Sequence, residues 1–357
     1  MSEMTPEQRA MRGLPPPGDG RKTPADGNIV IGPGVYPDIP DHVYHADNLC
    51  AVPTLSNTIG KELLRSPLHA WTISPRLNPD HEPRDTKAFR IGKAAHSVVL
   101  GRGAEFVTCP HDLLDKAGNM TTAAAKTWKA EQEAAGRIVL KVAEIAQVQA
   151  MADVLERKLS EYGIGLDPAR SELTVIGEVE GVLCRCRVDN APADPVAIPG
   201  FGKRKIILDY KTIEDASPDA CQKQVESYGY NFQGQFYPEV WKAATGEDRM
   251  MVFVFQEKKP PHEVQVVALL KEPGHSGDFG EAAQQQTAVA RALWRECIGT
   301  NVWSGYPTGI LVIGQRWSSQ KWQDRAAMLS QSSTPTRAAL EAWHRAQAPQ
   351  SNRNVGE

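Results

Sequence analysis

The sequence lacks the features of several large protein classes. Among 357 residues, 40 Lys and Arg stand against 43 Asp and Glu, and the net charge of -3 excludes the overall basic character of a protein that coats nucleic acid. No apolar run approaches the roughly 18 residues of a membrane span, and residues 1–34 lack the apolar core of a secretory signal. We therefore expect a cytoplasmic protein that does not contact a membrane.

Common cofactor motifs are also missing. The six cysteines include no C-x-x-C pair, which argues against a zinc ribbon and an iron–sulfur cluster. No G-x-x-x-x-G-K-[ST] loop occurs, so we expect no nucleotide cofactor and no ATP-driven motor. The pair His262-Glu263 is followed by Val266 where a zinc protease would place its second histidine. Cys184 and Cys186 share one face of a predicted strand, where they either pack together or ligate a metal.

Composition divides the chain into three parts. Residues 1–34 hold six prolines and six glycines with few large apolar side chains, which predicts a disordered N-terminal tail. Residues 330–357, rich in Gln, Ser, Ala and Arg, predict a flexible C-terminal tail. Between them, residues 35–329 are expected to form a single domain.

The hydrophobic pattern of this middle part is first helical and then mixed. Period-two segments and short apolar runs predict strands at 172–177, 182–188, 205–210, 250–256 and 263–270, with a long loop at 190–203. Helical spacing predicts helices at 55–65, 86–100, 121–162 (one helix, or two that break at Gly136), 218–229, 233–244 and 280–298. This order predicts an α/β domain with a mixed central sheet flanked by helices.

Two strand ends carry acidic residues that point to a metal site. Asp209 and Lys211 share one face of a strand, and Asp189 ends the preceding strand. If these strands pair, the two carboxylates converge, and converging carboxylates repel each other unless a cation lies between them. A lysine beside such a cation stabilises a hydroxide. The alternative is a surface ion pair with two solvated strand-end acids.

Two helices add polar candidates. His96 lies on a predicted helix, either as a metal ligand or as a hydrogen-bonded core histidine. Gln233 and Tyr237 are four residues apart and therefore share a helix face. Each of these signals is weak alone, and their order in the chain is what makes them specific.

Taken in order, these residues resemble the PD-(D/E)XK nuclease superfamily, within it the RecB-like group, and most closely the RecE-type (exonuclease VIII-like) exodeoxyribonucleases of phages and prophages. The resemblance covers roughly residues 36–320. The matching segments are Tyr44 to Asp47, Thr54 to Ser56, Leu63 to Pro67, Gly92 to His96, Ala125 to Trp128, Gly181 to Asp189, Ile207 to Thr212, Tyr228 to Tyr230, Gln233 to Tyr237 and Trp303 to Pro307.

The resemblance implies a restriction-endonuclease-like core and a role for each site residue. The catalytic Mg²⁺ or Mn²⁺ would be ligated by His96, Asp189, Asp209 and the backbone carbonyl of Tyr210. Lys211 would orient or deprotonate the attacking water, while Gln233 and Tyr237 would position Lys211 and the scissile phosphate. Glu172 matches an acidic residue that either binds the metal or supports the site. A DNA 5′ phosphate would be contacted by Ser56, Lys61, Arg65 and Ser66, unless these residues form a plain helix face.

The implied activity is ATP-independent hydrolysis of linear double-stranded DNA from the 5′ end. Such an enzyme would act in phage-type recombination by single-strand annealing, as a homo-oligomeric ring, beside a RecT-type annealing protein. We expect Arg187, Lys203, Arg204 and Lys205 to supply positive charge to the DNA groove. Two alternatives stay open: a catalytically inactive DNA-binding or recombination scaffold of the same fold, and an endonuclease or 3′-directed exonuclease, since the motif sets the chemistry and not the polarity.

Overall fold

A mixed seven-stranded sheet lies at the centre of the part of the chain that the structure describes. In this computed structural model the described residues are 31–82, 94–96, 98, 100, 106–135, 137–269, 279–306 and 309–310. The strand order is β1-β5-β6-β9-β10-β11, with β2 beside β6. These strands are β1 Gly34–Tyr36, β2 Leu55–Ser56, β5 Ser171–Val179, β6 Val182–Asn190, β9 Ile206–Ile213, β10 Met250–Glu257 and β11 Val264–Ala268. Two further pairs are β3 Phe106–Thr108 with β4 Ile138–Leu140, and β7 Val196–Ile198 with β8 Gly202–Arg204.

Helices cover the sheet and confirm the predicted mixed α/β architecture. They are α1 Asp41–Ala46, α2 Asn57–Arg65, α3 Pro67–Ile73, α4 Ala123–Ala134, α5 Val142–Glu161, α6 Pro218–Tyr228, α7 Tyr230–Thr245 and α8 Gly280–Thr300. The contacts divide the chain after Gly305, and every element named here lies in the first unit. Within the described ranges, no helix has the length and apolar character needed to cross a membrane.

The sheet brings together strands that are distant in sequence. Strands β5 and β6 form a hairpin whose turn residues, Glu180 and Gly181, both have positive φ, as a tight two-residue turn requires. The end of β6 then pairs antiparallel with β9, where Asn190 lies opposite Leu208. On its other side β9 pairs in parallel with β10, which sets Asp209 beside Phe253. Strand β9 is therefore an interior strand with a neighbour on each side.

Alternating side chains of β9 pack into two separate cores. Ile207 joins a cluster that includes Phe236 of α7 and Trp294 of α8. Leu208 and Tyr210 join a second cluster with Met151 of α5. Successive residues of a strand point to opposite faces of the sheet, so both faces of β9 are covered by helices. The Asp-x-Lys segment is therefore fixed from both sides.

The segment 190–203, which the sequence predicts as a long loop, contains the β7–β8 hairpin. Val196 and Ile198 of β7 are buried in the same cluster as Ala95. The prediction missed this hairpin because its three-residue strands lie among three prolines, and such a composition is typical of a loop. Ala95 directly precedes His96 in the chain, so the segment between the two aspartates shares a core with the residue next to His96.

Other boundaries also differ from the predictions. The predicted helical region 121–162 contains strand β4, since the β-branched run Ile138-Val139 pairs with β3 between α4 and α5. The predicted N-terminal tail ends too late: Ile31 is buried and Gly34 begins strand β1. The rest of the division into one domain and two tails stays a prediction, because residues 1–30 and 311–357 lie outside the described residues. Most of the predicted helix 86–100 also lies outside them.

A buried ion pair ties helix α1 to strand β6. Asp47 is 2% exposed and Arg185 is 5% exposed, and their side chains approach to 2.5 Å. Thr54 donates from its backbone N–H and its hydroxyl to the Asp47 carboxylate, at 3.0 and 2.6 Å. The Arg185 guanidinium in turn donates to the Thr54 carbonyl and hydroxyl at 2.8 and 2.6 Å. This network fixes the segment that leads into β2 and α2.

Replacing Asp47 with alanine is expected to lower the free energy of unfolding by about 3–5 kcal/mol, because it leaves the Arg185 guanidinium buried without its counter-charge. Urea titration followed by circular dichroism measures the change. Asp248→Ala is the matched control, since it breaks the exposed pair of Asp248 and Lys242 and is expected to cost about 0–1 kcal/mol. Equal losses in the two variants would show that the buried pair adds nothing to stability.

Candidate metal centre and active site

The end of strand β6 is fixed to strand β9 by a side-chain bond. The backbone N–H of Tyr210 donates to Asp189 Oδ2 at 2.7 Å. This bond forms where Asn190 and Leu208 pair across the two strands. The two strands that carry the predicted aspartates are therefore neighbours, as the sequence analysis expected, and the Asp189 carboxylate has a fixed direction.

Three possible metal ligands converge at this point. His96, Glu172 and Asp189 each offer one donor atom, and these atoms all lie within 4.8 Å of one another. His96 Nδ1 is 3.7 Å from Asp189 Oδ2, and the His96 ring packs against the Tyr210 ring at a centroid distance of 5.0 Å. Asp189 is buried, whereas the other two are half-buried. One imidazole and two carboxylates form a donor set that suits Mg²⁺ or Mn²⁺.

The raised pKa values of Asp189 and Glu172 agree with a site that binds a cation. Burial, followed by the nearby Asp209 carboxylate, raises the pKa of Asp189 to about 6. Burial, followed by the Asp189 carboxylate, raises the pKa of Glu172 to about 8, although Arg187 acts in the opposite direction. Both groups therefore lack enough positive charge around them, and a divalent cation would favour their ionised forms.

Glu172 reaches the cluster through an unusual backbone conformation. Its φ of 53° is left-handed although it lies inside strand β5. Its neighbours keep the normal register, with Ser171 opposite Asn190 and Leu173 opposite Val188, so Glu172 lies between these pairs across from Asp189. For a residue with a side chain this conformation costs about 1–3 kcal/mol, and such strain is concentrated at functional sites. The structure thus brings Glu172 to the metal donors, a position that the sequence analysis left open between ligand and support.

Asp209 and Lys211 lie beside this cluster. Lys211 Nζ is 2.6 Å from Asp209 Oδ2, and Gln233 of α7 donates to Asp209 Oδ1 at 2.5 Å. The Lys211 contact is an ion pair without regular hydrogen-bond geometry, and the buried Oδ2 atom accepts no hydrogen bond from the described residues. Asp209 was predicted as a metal ligand, but its oxygens face Lys211 and Gln233 and it is not one of the three convergent donors.

The charge state of Lys211 follows from these neighbours. Burial alone would lower the pKa of Lys211, but Asp209 and Asp189 outweigh burial and raise it above the ordinary value for lysine. The ammonium therefore stays protonated at neutral pH. It can donate hydrogen bonds to a water or a phosphate oxygen, and it is poorly suited to accept a proton.

The two predicted tyrosines have different surroundings. Burial raises the pKa of the Tyr237 hydroxyl well above its usual range, with Tyr44 and Asp209 adding to the effect. Tyr237 therefore remains a neutral donor near the site. Tyr210 contributes its backbone N–H to Asp189, and its hydroxyl donates to Gln256 at 2.5 Å. The predicted metal bond from the Tyr210 carbonyl stays a prediction. Gln233, which was predicted to position Lys211 and the phosphate, donates to Asp209, the partner of Lys211. Its predicted role stays a prediction.

The residues predicted to contact a 5′ phosphate do not form one cluster of free groups. Ser56 and Ser66 cap helices α2 and α3 through the backbone N–H groups of Ile59 and His69. Arg65 pairs with Glu62 at 3.6 Å. Lys61 lies close to the candidate site: its Nζ donates to the Tyr228 carbonyl at 3.0 Å, and burial followed by Lys211 lowers its pKa.

Two of the basic residues predicted for a DNA groove form hydrogen bonds or ion pairs within the protein. Arg187 donates to the Ile39 carbonyl at 2.8 Å and to Thr174 at 3.0 Å, and it lies 3.9 Å from Glu172. Lys205 pairs with Glu247. Lys203 and Arg204 are exposed on β8. The structure thus adds Arg187 as a neighbour of Glu172, which sequence spacing alone could not show.

One comparison with known proteins, a family model, agrees with this architecture. The sequence model of one protein family, described as "PDDEXK-like domain of unknown function (DUF3799)", matches residues 56–303. A search of curated proteins finds no match. Among solved structures, the chain is similar to a candidate exonuclease from Eubacterium rectale, at 13% identity and a TM-score of 0.47, covering 79% of this chain and 97% of that one. It is also similar to a phage-related exonuclease from Haemophilus somnus 129PT, at 13% identity and a TM-score of 0.29, covering 70% and 96%.

Proposed function

The chain belongs to the PDDEXK-like family of unknown function (DUF3799), and from this membership and the site geometry we propose that it is a metal-dependent, ATP-independent DNA exonuclease. The observation that carries the proposal is the convergence of His96, Glu172 and Asp189 beside the pair of Asp209 and Lys211. Metal ligands next to a protonated lysine are groups that suit metal-assisted hydrolysis of a phosphodiester.

The residues divide the chemistry between them. His96, Glu172 and Asp189 would hold Mg²⁺ or Mn²⁺, which when bound stabilises charge on the phosphoryl oxygen and lowers the pKa of a water. Lys211 donates from its ammonium group to that water or to the phosphate. Gln233 holds Asp209, and Asp209 holds Lys211 in place. We therefore propose that Lys211 orients the attacking water, the first of the two roles that the resemblance implies for it.

The finer assignments are part of the same proposal. We propose a RecE-type enzyme that degrades linear double-stranded DNA from the 5′ end in recombination by single-strand annealing. It would act in the cytoplasm as a homo-oligomeric ring, together with a RecT-type annealing protein. These statements depend on the sequence resemblance over roughly residues 36–320.

Digestion of end-labelled DNA tests the proposal. We expect the full chain to release the 5′ label from linear duplex DNA in Mg²⁺ or Mn²⁺, to release none in EDTA, and to leave closed circular DNA intact. Asp209→Ala should abolish the release. Cutting of the circles would favour an endonuclease, and early release of the 3′ label would reverse the polarity. Intact substrates in both metals, with DNA binding retained, would favour the inactive scaffold.

A further inference from the structure

An aromatic stack runs from the surface to the sheet beside the candidate site. The Tyr228 and Tyr230 rings stack at a centroid distance of 5.9 Å and an interplanar angle of 19°. Tyr230 in turn stacks on the buried Phe253 at 5.3 Å and 22°. Gly229, with a φ of 61°, ends α6 and precedes α7, and this left-handed turn separates the two tyrosines in sequence. Tyr228 is 59% exposed, so the stack ends in an aromatic ring that water can reach.

Two lysines flank this stack. Lys211 Nζ lies 5.5 Å from the centre of the Tyr230 ring, and Lys61 Nζ lies 5.9 Å from it. Lys61 also donates to the Tyr228 carbonyl at 3.0 Å. Within the described part of the chain Lys61 forms no ion pair with an acid, whereas Lys211 is paired with Asp209. An exposed aromatic ring thus adjoins one amine that lacks an acidic partner and one that belongs to the candidate active site.

This combination matches the chemistry of a nucleotide. Aromatic side chains bind the face of a base, and cationic groups bind the adjoining phosphate. A base inside a duplex has both faces covered by its neighbours, and the terminal pair exposes only its outer face. A tyrosine beside a phosphate within the strand can therefore stack only on a base that has left the duplex. An ordinary surface lysine cluster would bind phosphate without this requirement.

We propose that Tyr228, supported by Tyr230 and Phe253, is a stacking platform for an unpaired base next to the phosphate that Lys211 contacts. The proposal rests on the proposed nuclease function and extends it to the form of the substrate: a strand end whose terminal base pairs have opened. Stacking on an aromatic side chain does not distinguish between bases, which suits an enzyme that degrades DNA of any sequence.

An abasic substitution tests the platform through its coupling to Tyr228. The substrates are labelled single-stranded oligonucleotides and duplexes in Mg²⁺, each with one abasic nucleotide at successive positions around the cleaved bond. We expect Tyr228→Ala to raise KM by about 5- to 150-fold with little change in kcat. At one position, an abasic nucleotide should raise the KM of the wild type by the same factor as Tyr228→Ala does. The same substrate should not raise the KM of Tyr228→Ala any further. That non-additivity is the signature of a direct contact between ring and base.

Two control variants separate stacking from folding. Tyr228→Phe keeps the ring and should behave as the wild type, and Tyr162→Ala removes an exposed tyrosine after helix α5 and should leave KM unchanged. Thermal melting checks that all three variants fold. Additive losses at every position, with an active wild type, would overturn the platform and leave the nuclease standing. A wild type that cleaves no DNA in Mg²⁺ or Mn²⁺ would instead overturn the proposed function on which the platform rests.

Discussion

Lys211→Ala is expected to lower the rate of DNA cleavage by about 10²- to 10⁴-fold, the range of a positioned proton donor or a charged group acting on the transition state. The Lys211 ammonium is fixed by Asp209 at 2.6 Å, and its raised pKa keeps it charged in the site. Alanine leaves the donors of the metal cluster in place, so the loss should fall on kcat. Single-turnover digestion of linear DNA at saturating enzyme measures it.

The matched control for this variant is Lys116→Ala. Lys116 is exposed, and its removal changes the net charge by the same amount without touching the candidate site. We expect its cleavage rate to match the wild type. A Lys211→Ala enzyme that kept more than a tenth of the wild-type rate would contradict the assignment of Lys211 to the reacting water or phosphate.

Asp189→Asn is expected to remove metal binding. At a Mn²⁺ concentration about 100 times its Kd, ligand binding should stabilise the wild type by about 2.7 kcal/mol, and the variant should gain little. Asparagine can still accept the Tyr210 N–H bond, so the fold should persist. Calorimetric melting with and without Mn²⁺ measures the difference. Asp194→Asn, an exposed carboxylate in the following loop, is the control and should respond to Mn²⁺ as the wild type does.

Without metal, Asp189→Asn is expected to stabilise the folded protein. Burial and Asp209 raise the pKa of Asp189 from 3.8 to about 6. Between these values the folded state retains a proton that the unfolded state loses, so wild-type stability falls as the pH rises from about 4 to about 6. Asparagine carries no charge, and Asp189→Asn should therefore be more stable than the wild type at pH 7.5 without metal. A variant less stable than the wild type at that pH would show that neighbouring groups already stabilise the charge of the Asp189 carboxylate in the folded state.

Much of the scaffold could be predicted from local pattern. The strands that carry Asp189, Asp209 and Lys211 follow period-two alternation or short apolar runs, and the structure places them as neighbours. The mixed sheet and its flanking helices are confirmed. Helix α7 extends through Pro238, because buried residues on both sides of the proline hold the helix against the sheet.

The composition of the metal cluster could not be predicted in the same way. Spacing predicts that Asp209 faces the metal, but it does not predict that Gln233 and Lys211 occupy its two oxygens. Glu172 joins the cluster through a left-handed backbone that no propensity of glutamate favours. Ser56 and Ser66 have the residue type of phosphate ligands, but that type is equally suited to capping a helix. In each case the deciding contact comes from a residue that is distant in sequence or from the backbone itself.

The interior position of β9 has a consequence for how the protein is made. Strand β9 carries Asp209 and Lys211, and it is completed on one side by β6 and on the other by β10, which ends at Glu257. Gln233, which holds Asp209, also comes later in the chain than β9. During synthesis from the N-terminus, the hairpin of β5 and β6 emerges first. Strand β9 then lacks its neighbour β10, which follows more than 30 residues later in the chain. We therefore expect a chain that stops before β10 to hold Asp189 and Asp209 without the strand that completes β9. Under the proposed function, such a chain should not hydrolyse DNA.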